Sequence, residues 1–273
     1  MEYEEPLDKR KLREKLELKE RLYDKTQRMK IKRSEEYEVL EEVFDKPTLM
    51  TIYSLMNKGV IDRIYGAIKS GKEAKIYWAI GPKGEELAVK IYLTVSSEFK
   101  KGMLPYIQGD IRFKRIRGDT RALVYAWAEK EFKNLTLAYE AGVKVPKPYI
   151  VKNNVLVVEF IGENGYPAPL LRETEVDNPE EIYYMLLEYV KLLYRRARLV
   201  HGDLSEYNVM IYRGEPVIFD LSQAVPLEHP LAEELLMRDL KNLNRYFSKL
   251  GVKVKPEEEA YKWVVGDESE PEG

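Results

Sequence analysis

Cysteine is absent from this 273-residue chain, and histidine occurs only at His201 and His229. The first absence excludes disulfides, thiolate-bound zinc and a thiol nucleophile. The second leaves too few imidazoles for a histidine cage, so any metal is expected to be a hard cation on oxygen ligands, Mg2+ before others. No apolar run approaches the roughly 20 residues that span a bilayer. The first twenty residues are too charged for a secretory leader. A cytoplasmic protein without membrane contact is expected. Net charge is nearly absent as well: 45 Lys and Arg against 47 Asp and Glu leave −2, so bulk charge indicates no polyanionic partner.

Local charge is uneven. Residues 9–33 hold twelve basic against four acidic side chains, and residues 34–45 hold six acids and no base. Residues 1–46 therefore form a charged arm, either a grip for RNA phosphates or a solvated helix with no partner. From Pro47 the pattern becomes globular. Leu49, Ile52, Tyr53 and Met56 fall on one helical face, closed by Gly59. Three strands are expected at 63–69, 75–80 and 86–93. Residues 99–121 carry seven basic and two acidic side chains, and their Gly and Pro content suggests a basic, flexible insert made largely of loop. A long helix follows to Gly142, then an apolar strand at 154–162. Helices at 179–198 and 230–250 enclose a short hairpin turning at Arg213-Gly214. An acidic, frayed tail is expected at 256–273. The whole is α+β with two lobes: a strand-rich first lobe at 47–162 and a reduced helical second lobe at 163–255.

The chemistry is concentrated in His201-Gly202-Asp203-Leu204-Ser205-Glu206-Tyr207-Asn208. Asp220 lies twelve residues beyond Asn208, at the end of a short strand. Phosphoryl transfer needs a nucleophile held in line and phosphate charge neutralised, with little covalent help. Asp203 can orient a hydroxyl or water and take its proton. Asn208 and Asp220 offer oxygen ligands to Mg2+, brought together by the hairpin between them. A polar turn is the plain alternative for the first motif alone, and Asp220 at this spacing argues against it.

Lys90 sits inside the apolar strand Leu87-Ala88-Val89-Lys90-Ile91-Tyr92. A lysine there is costly unless it reaches solvent or meets an anion. In the long helix, Val124, Trp127, Glu131, Leu135 and Ala138 share a stripe, so Glu131 is the acid on the apolar face and Glu129 points away. A Lys90–Glu131 ion pair is expected. Between the first two strands, Ser70, Gly71 and Lys72 could cradle phosphates, although a simple hairpin turn explains Gly and Ser equally well. Before a hinge expected at 162–170, the Glu159 carbonyl and the Ile161 N–H are placed to pair with a flat adenine edge.

Taken in order, Ser-Gly-Lys-Glu-Ala, Ala-Val-Lys-Ile-Tyr, Trp-Ala-Glu-Lys-Glu-Phe-Lys-Asn-Leu, Val-Glu-Phe-Ile-Gly, His-Gly-Asp-Leu-Ser-Glu-Tyr-Asn and Asp-Leu-Ser-Gln-Ala-Val resemble the RIO family of atypical serine protein kinases. The basic insert and the last motif resemble its Rio1 branch, archaeal type. The resemblance implies a protein-kinase-like fold, ATP with Mg2+ (or Mn2+), and catalytic roles for Asp203, Lys90 and Asp220. It implies Asn208 and Asp220 as metal ligands, and nucleotide contacts from Ser70, Gly71, Lys72, Lys90, Glu131, Glu159, Ile161 and Asn208. It also implies serine autophosphorylation, ATP hydrolysis, and a pre-small-subunit ribosomal particle, its RNA or its proteins as partner. A monomer is favoured.

Departures from ordinary protein kinases limit what carries over. Gly202 stands where those enzymes have arginine, and Leu221-Ser222 where they have Phe-Gly. No Ala-Pro-Glu follows. An activation-loop switch and an extended peptide groove are therefore not expected. Small-molecule phosphotransferases of the aminoglycoside or choline kinase type share the His-Gly-Asp motif, as does a Bud32-like kinase. A ribonucleoprotein assembly factor gated by nucleotide also fits the basic arm and insert.

Overall fold

The computed structural model describes Leu40 and residues 43–94, 97–113 and 119–266. The basic part of the arm and the last seven residues lie outside them. The chain divides into two units, residues 1–50 and 51–273. In the first, Asp45 Oδ1 accepts the Thr48 N–H at 3.1 Å and caps the start of helix α1, Lys46–Asn57, which ends in the second.

The second unit carries the architecture. Strands β1 (Arg63–Ser70), β2 (Ala74–Ile80), β3 (Glu86–Tyr92), β4 (Pro148–Lys152) and β5 (Val155–Glu159) form one sheet in the order β1-β2-β3-β5-β4. Every pairing is antiparallel, and β3 is central, with Lys90 opposite Ile76 on one side and Leu156 on the other. Helix α2 (Ser97–Ile107) and helix α3 (Thr120–Glu140) separate β3 from β4. Asp119 caps α3 by accepting the Arg121 N–H at 3.2 Å. Beyond the sheet, a two-residue hairpin, β6 (Gly162–Glu163) and β7 (Tyr166–Pro167), begins the helical lobe. The Glu86 carboxylate holds that hairpin to β3, accepting the Asn164 and Gly165 N–H groups at 2.9 and 2.8 Å and Trp78 Nε1 at 2.8 Å.

The helical lobe packs α4 (Pro179–Arg195), α5 (Ala232–Lys249) and α6 (Glu257–Val265) around one apolar core that also takes Leu135 and Ala138 from α3. Pro179 starts α4, and Asn178 accepts the Glu181 N–H as its cap. Two short strand pairs complete the lobe: β8 (Leu199–Val200) with β11 (Val225–Pro226), and β9 (Val209–Tyr212) with β10 (Glu215–Ile218). Arg213 and Gly214 both take positive φ, 54° and 82°, which is the two-residue turn a right-twisted hairpin requires.

Two expectations are corrected here. Among its described residues, the basic insert is not largely loop. Helix α2 runs to Ile107 and continues through Pro105, followed by a 3-10 turn at Ile111–Phe113. Met103, Ile107 and Phe113 are buried against Leu123, Val124 and Trp127 of α3, and that burial outweighs the weak local propensity. The described part of the tail, through Gly266, is not frayed. Its α6 is acidic only in the first turn, where carboxylates suit a helix N-terminus, and it buries Ala260 and Val264 fully.

Candidate active site

A cavity of about 510 Å³ opens between the sheet and the helical lobe. The β1–β2 turn contributes Gly71, Lys72 and Glu73 to its wall, and the far side is formed by Met210, Phe219 and Asp220. Lys90 and Glu131 lie at its inner end, and Glu159, Phe160 and Ile161 line the edge near the hinge. Ser70 is exposed at the end of β1 and is not part of this wall. The Glu159 N–H donates to the Lys147 carbonyl at 2.8 Å, the Phe160 N–H to the Glu86 carbonyl at 3.2 Å, and the Ile161 carbonyl accepts from Ala168 at 2.9 Å. These bonds make the hinge edge a rigid strip of backbone.

The expected ion pair is present. Lys90 Nζ donates to both Glu131 oxygens at 2.8 and 2.9 Å and to Asp220 Oδ1 at 3.2 Å. Burial disfavours its charge, but the carboxylates of Asp220 and Glu131 outweigh burial and hold the ammonium's pKa above its ordinary value. At Asp220, burial alone would raise the pKa. Lys90 and the Ser222 hydroxyl, which donates to Oδ1 at 2.7 Å, overcome it and bring the carboxyl down to about 2. Asp220 is thus an anion at neutral pH, with its side chain 40% exposed toward the cleft. Its backbone takes the left-handed φ of 59°, a conformation aspartate tolerates better than most residues.

Asp203 has a different environment. Asn208 Nδ2 donates to its carbonyl at 2.8 Å and to Oδ2 at 3.2 Å, and Gln223 Nε2 reaches the same oxygen at 3.2 Å. Burial and the negative charge of Asp220 still leave its pKa above the ordinary aspartate value, against the bond from Asn208. Two carboxyls in one cleft are pushed apart, one toward strong acid and one toward base, a division suited to metal binding and proton acceptance. The expected hairpin forms, and it sets the residue before Asp220 against Asn208: the Phe219 N–H donates to the Asn208 carbonyl at 3.0 Å.

Sequence reasoning missed the support of this loop. Asp239 of α5 is 1% exposed, and its oxygens accept the N–H groups of Gly202 at 2.7 Å and Leu204 at 2.8 Å, on either side of Asp203. Burial pushes its pKa up to about 7, against those two bonds. The Arg238 guanidinium donates to the Gly202 carbonyl, and Asn242 Nδ2 to that of Leu204 at 3.1 Å. Gly202 takes φ 77°, with the Gln223 carbonyl 3.3 Å from where a Cβ would sit, so glycine suits the place where kinases put arginine. The apolar-stripe argument that found Glu131 would have found Asp239 too, since it shares a face with Leu235, Leu236, Leu240 and Leu243. Glu73 was also missed. Burial raises its pKa, and the charges of Asp220 and Asp203 add to the rise, so it faces the same cleft.

The chain is similar to known proteins. The RIO domain family model matches residues 75–260. The RIO-type serine/threonine-protein kinase Rio1 of Haloferax volcanii is 44% identical, over 89% of this chain and 83% of that protein. Its namesake in Methanocaldococcus jannaschii is 40% identical, over 87% and 80%. Among solved structures, a Rio2 kinase–ADP/Mg2+–phosphoaspartate complex from Chaetomium thermophilum superposes with a TM-score of 0.60 at 23% identity, covering 81% of this chain and 67% of that one. This last likeness supports the two-lobed α+β kinase-like fold. Family match and sequence identity together establish that the chain belongs to the RIO family of atypical serine/threonine protein kinases.

Proposed function

We propose that this kinase binds ATP with Mg2+ in the cleft and transfers or releases the terminal phosphoryl group there, with Asp203 orienting the attacking oxygen. The observation that carries the reading is the convergence of Lys90, Glu131 and Asp220 within 3.2 Å of one ammonium, beside the Asp203–Asn208 pair. The donor set fits Mg2+. Asn208 spends its amide nitrogen on Asp203, which leaves Oδ1 as its ligand atom, and Asp220 adds an ionised carboxylate. Among the described residues no cluster of three or more His, Cys, Asp or Glu could hold a metal alone. Mg2+ commonly takes one or two carboxylates and completes its shell with phosphate oxygens and water. When bound, it would neutralise phosphate charge. Lys90 would pair with phosphate oxygens while Glu131 keeps it in place. Asp203, with its raised pKa, would hold the hydroxyl or water in line and accept its proton.

The ATP hydrolysis, serine autophosphorylation and small-subunit maturation expected from the resemblance belong to the same proposal. Water competes well as acceptor because the two described helices after Asp220 are both engaged in the fold. Helix α5 holds the catalytic loop, and α6 packs on α4 and α5. The test is Asp203→Ala assayed for phosphate release and phosphoserine with radiolabelled ATP. We expect both to fall by about 10³-fold, the scale of losing a positioned base, while Mg·ATP still binds. Persistence of both activities would remove Asp203 from the chemistry. Phosphate release without phosphoserine in the unaltered chain would make hydrolysis the output.

A further inference from the structure

Helix α3 holds Lys90 through Glu131, and the residues beside Glu131 turn toward a different target. Lys130 is 0% exposed, and so is Asn134, one turn further along the same face. Lys130 Nζ donates to the Ser222 carbonyl at 2.9 Å and to the Ala224 carbonyl. Asn134 Nδ2 donates to the carbonyls of Leu221 at 2.8 Å and Ala224 at 2.9 Å. Three of the four carbonyls following Asp220 are therefore fastened to one helix by two side chains. The turn they hold is closed by the Ala224 N–H on the Leu221 carbonyl at 3.2 Å. Burial brings the Lys130 pKa down to about 7, against the charge of Asp110, and Nζ, which donates to the two carbonyls as amine or as ammonium, lies 5.4 Å from the Trp127 ring.

We propose that Lys130 and Asn134 are positioning residues that fix the segment 221–224 and so hold the Asp220 carboxylate ready for its cation. The proposal rests on the functional reading of Asp220 given above. Three features make the fastening necessary. Asp220 carries a left-handed φ, which persists only where the surroundings over-determine it. Its carboxylate is bound to Lys90, and Lys90 to α3, so any slide of 221–224 along α3 would move the carboxylate away from an ammonium anchored elsewhere on that helix. Leu221-Ser222 stands where other kinases have Phe-Gly, and no arginine precedes Asp203 to engage a phosphorylated loop. Fastening by α3 does here, permanently, what that loop does by regulation.

The test uses the full chain with Lys130→Met, which keeps the stem and removes the donors, and Asn134→Leu, which is close to isosteric. Glu129→Gln serves as control, since that side chain is exposed and pairs with Lys133. Hydrogen exchange of amides 220–225 is measured without nucleotide, and turnover is measured across Mg2+ and ATP concentrations. In each fastening variant we expect about tenfold faster exchange in that segment. We also expect about fivefold more Mg2+ for half-saturation and about tenfold lower kcat, with KM for ATP within about twofold. A purely structural role would not confine the kinetic loss to kcat and Mg2+. Unchanged exchange in both folded variants overturns the fastening. Faster exchange with unchanged Mg2+ dependence overturns the positioning role. Should Lys130→Met fail to fold, Asn134→Leu decides alone. If the unaltered chain neither binds nor turns over Mg·ATP, the functional reading of Asp220 fails and the positioning role with it, while the exchange data still judge the fastening.

Discussion

His201 offers a measurable link between the loop at 201–208 and stability. Its imidazole is 2% exposed, and burial lowers its pKa from 6.5 to about 4, against the opposing charge of Asp220 and the backbone at Phe219. Above pH 6.5 neither folded nor unfolded chain carries this proton, and stability is unaffected. Between 6.5 and about 4 the unfolded chain takes up a proton that the folded chain refuses, so stability falls as pH falls. Below about 4 both carry it and the loss levels off. The gap amounts to roughly 3 kcal/mol at 1.36 kcal/mol per pH unit, a large part of the 5–15 kcal/mol typical of a domain. Asp239 acts in the opposite sense: its folded pKa of about 7 lies above the ordinary 3.8, so acidification stabilises through it in an overlapping window. Asp220, at about 2, loses its contribution only between 3.8 and 2. The unaltered chain alone is therefore ambiguous, and a difference between chains is needed. His201→Asn retains an acceptor near the Nδ1 position, which receives the Asp203 N–H at 3.3 Å. Urea unfolding of both chains from about pH 7.5 to about pH 4.5 should show the variant gaining on the parent by roughly 2–3 kcal/mol as pH falls. A flat difference would refute the buried neutral imidazole.

Glu131→Gln leaves Lys90 with Asp220 as its remaining carboxylate partner, so the cost should lie near the lower end of a broken buried pair, about 3 kcal/mol by urea unfolding, with a raised KM for ATP. Asp239→Asn can accept only one of the two loop N–H groups and sets a donor against the other. A loss of about 1.5–3 kcal/mol and a lower kcat at little-changed KM are expected from parallel unfolding and steady-state assays. Deleting residues 257–273 strips Ala260 and Val264 from the core of the helical lobe. Thermal unfolding should show a loss of about 3 kcal/mol or more, where a frayed tail would have cost nothing.

Much of the fold is legible because its signals are local. Alternation marks β1 to β3, and Asp119 and Gly142 bracket α3. The type of turn at Arg213-Gly214 follows from its residues. The two misread stretches share a cause. Residues 99–121 and 256–273 are poor in apolar residues and rich in charge, and their few apolar side chains act through distant partners. Met103 and Phe113 need the face of α3, and Val264 needs α4 and α5. Propensity cannot register a surface that exists only once another element has folded.

The site divides along the same line. Lys90, Glu131, Asp203, Asn208 and Asp220 could be singled out because the type and spacing of each suit phosphoryl-transfer chemistry, and the structure joins Lys90 to Glu131 and Asp220, and Asn208 to Asp203. What holds them could not be read this way. Asp239 reaches its loop across 35 to 37 positions, Asn134 across 87 to 90, and Lys130 across 92 to 94. All of them bind backbone N–H or C=O groups, which every residue except proline possesses in full, so the partner leaves no trace in its own sequence. A visible signature survives only on the side-chain end: a charged or amide residue set within an apolar stripe, where leaving it unpaired would cost more than any substitution gains. Glu131, Asn134 and Asp239 all meet that criterion, and Lys130 beside Glu131 is wholly buried. A polar residue inside a helix's buried stripe is therefore a pointer to a partner that must not move: for Glu131 it is the Lys90 ammonium, and for Lys130, Asn134 and Asp239 it is backbone beside Asp220 or Asp203.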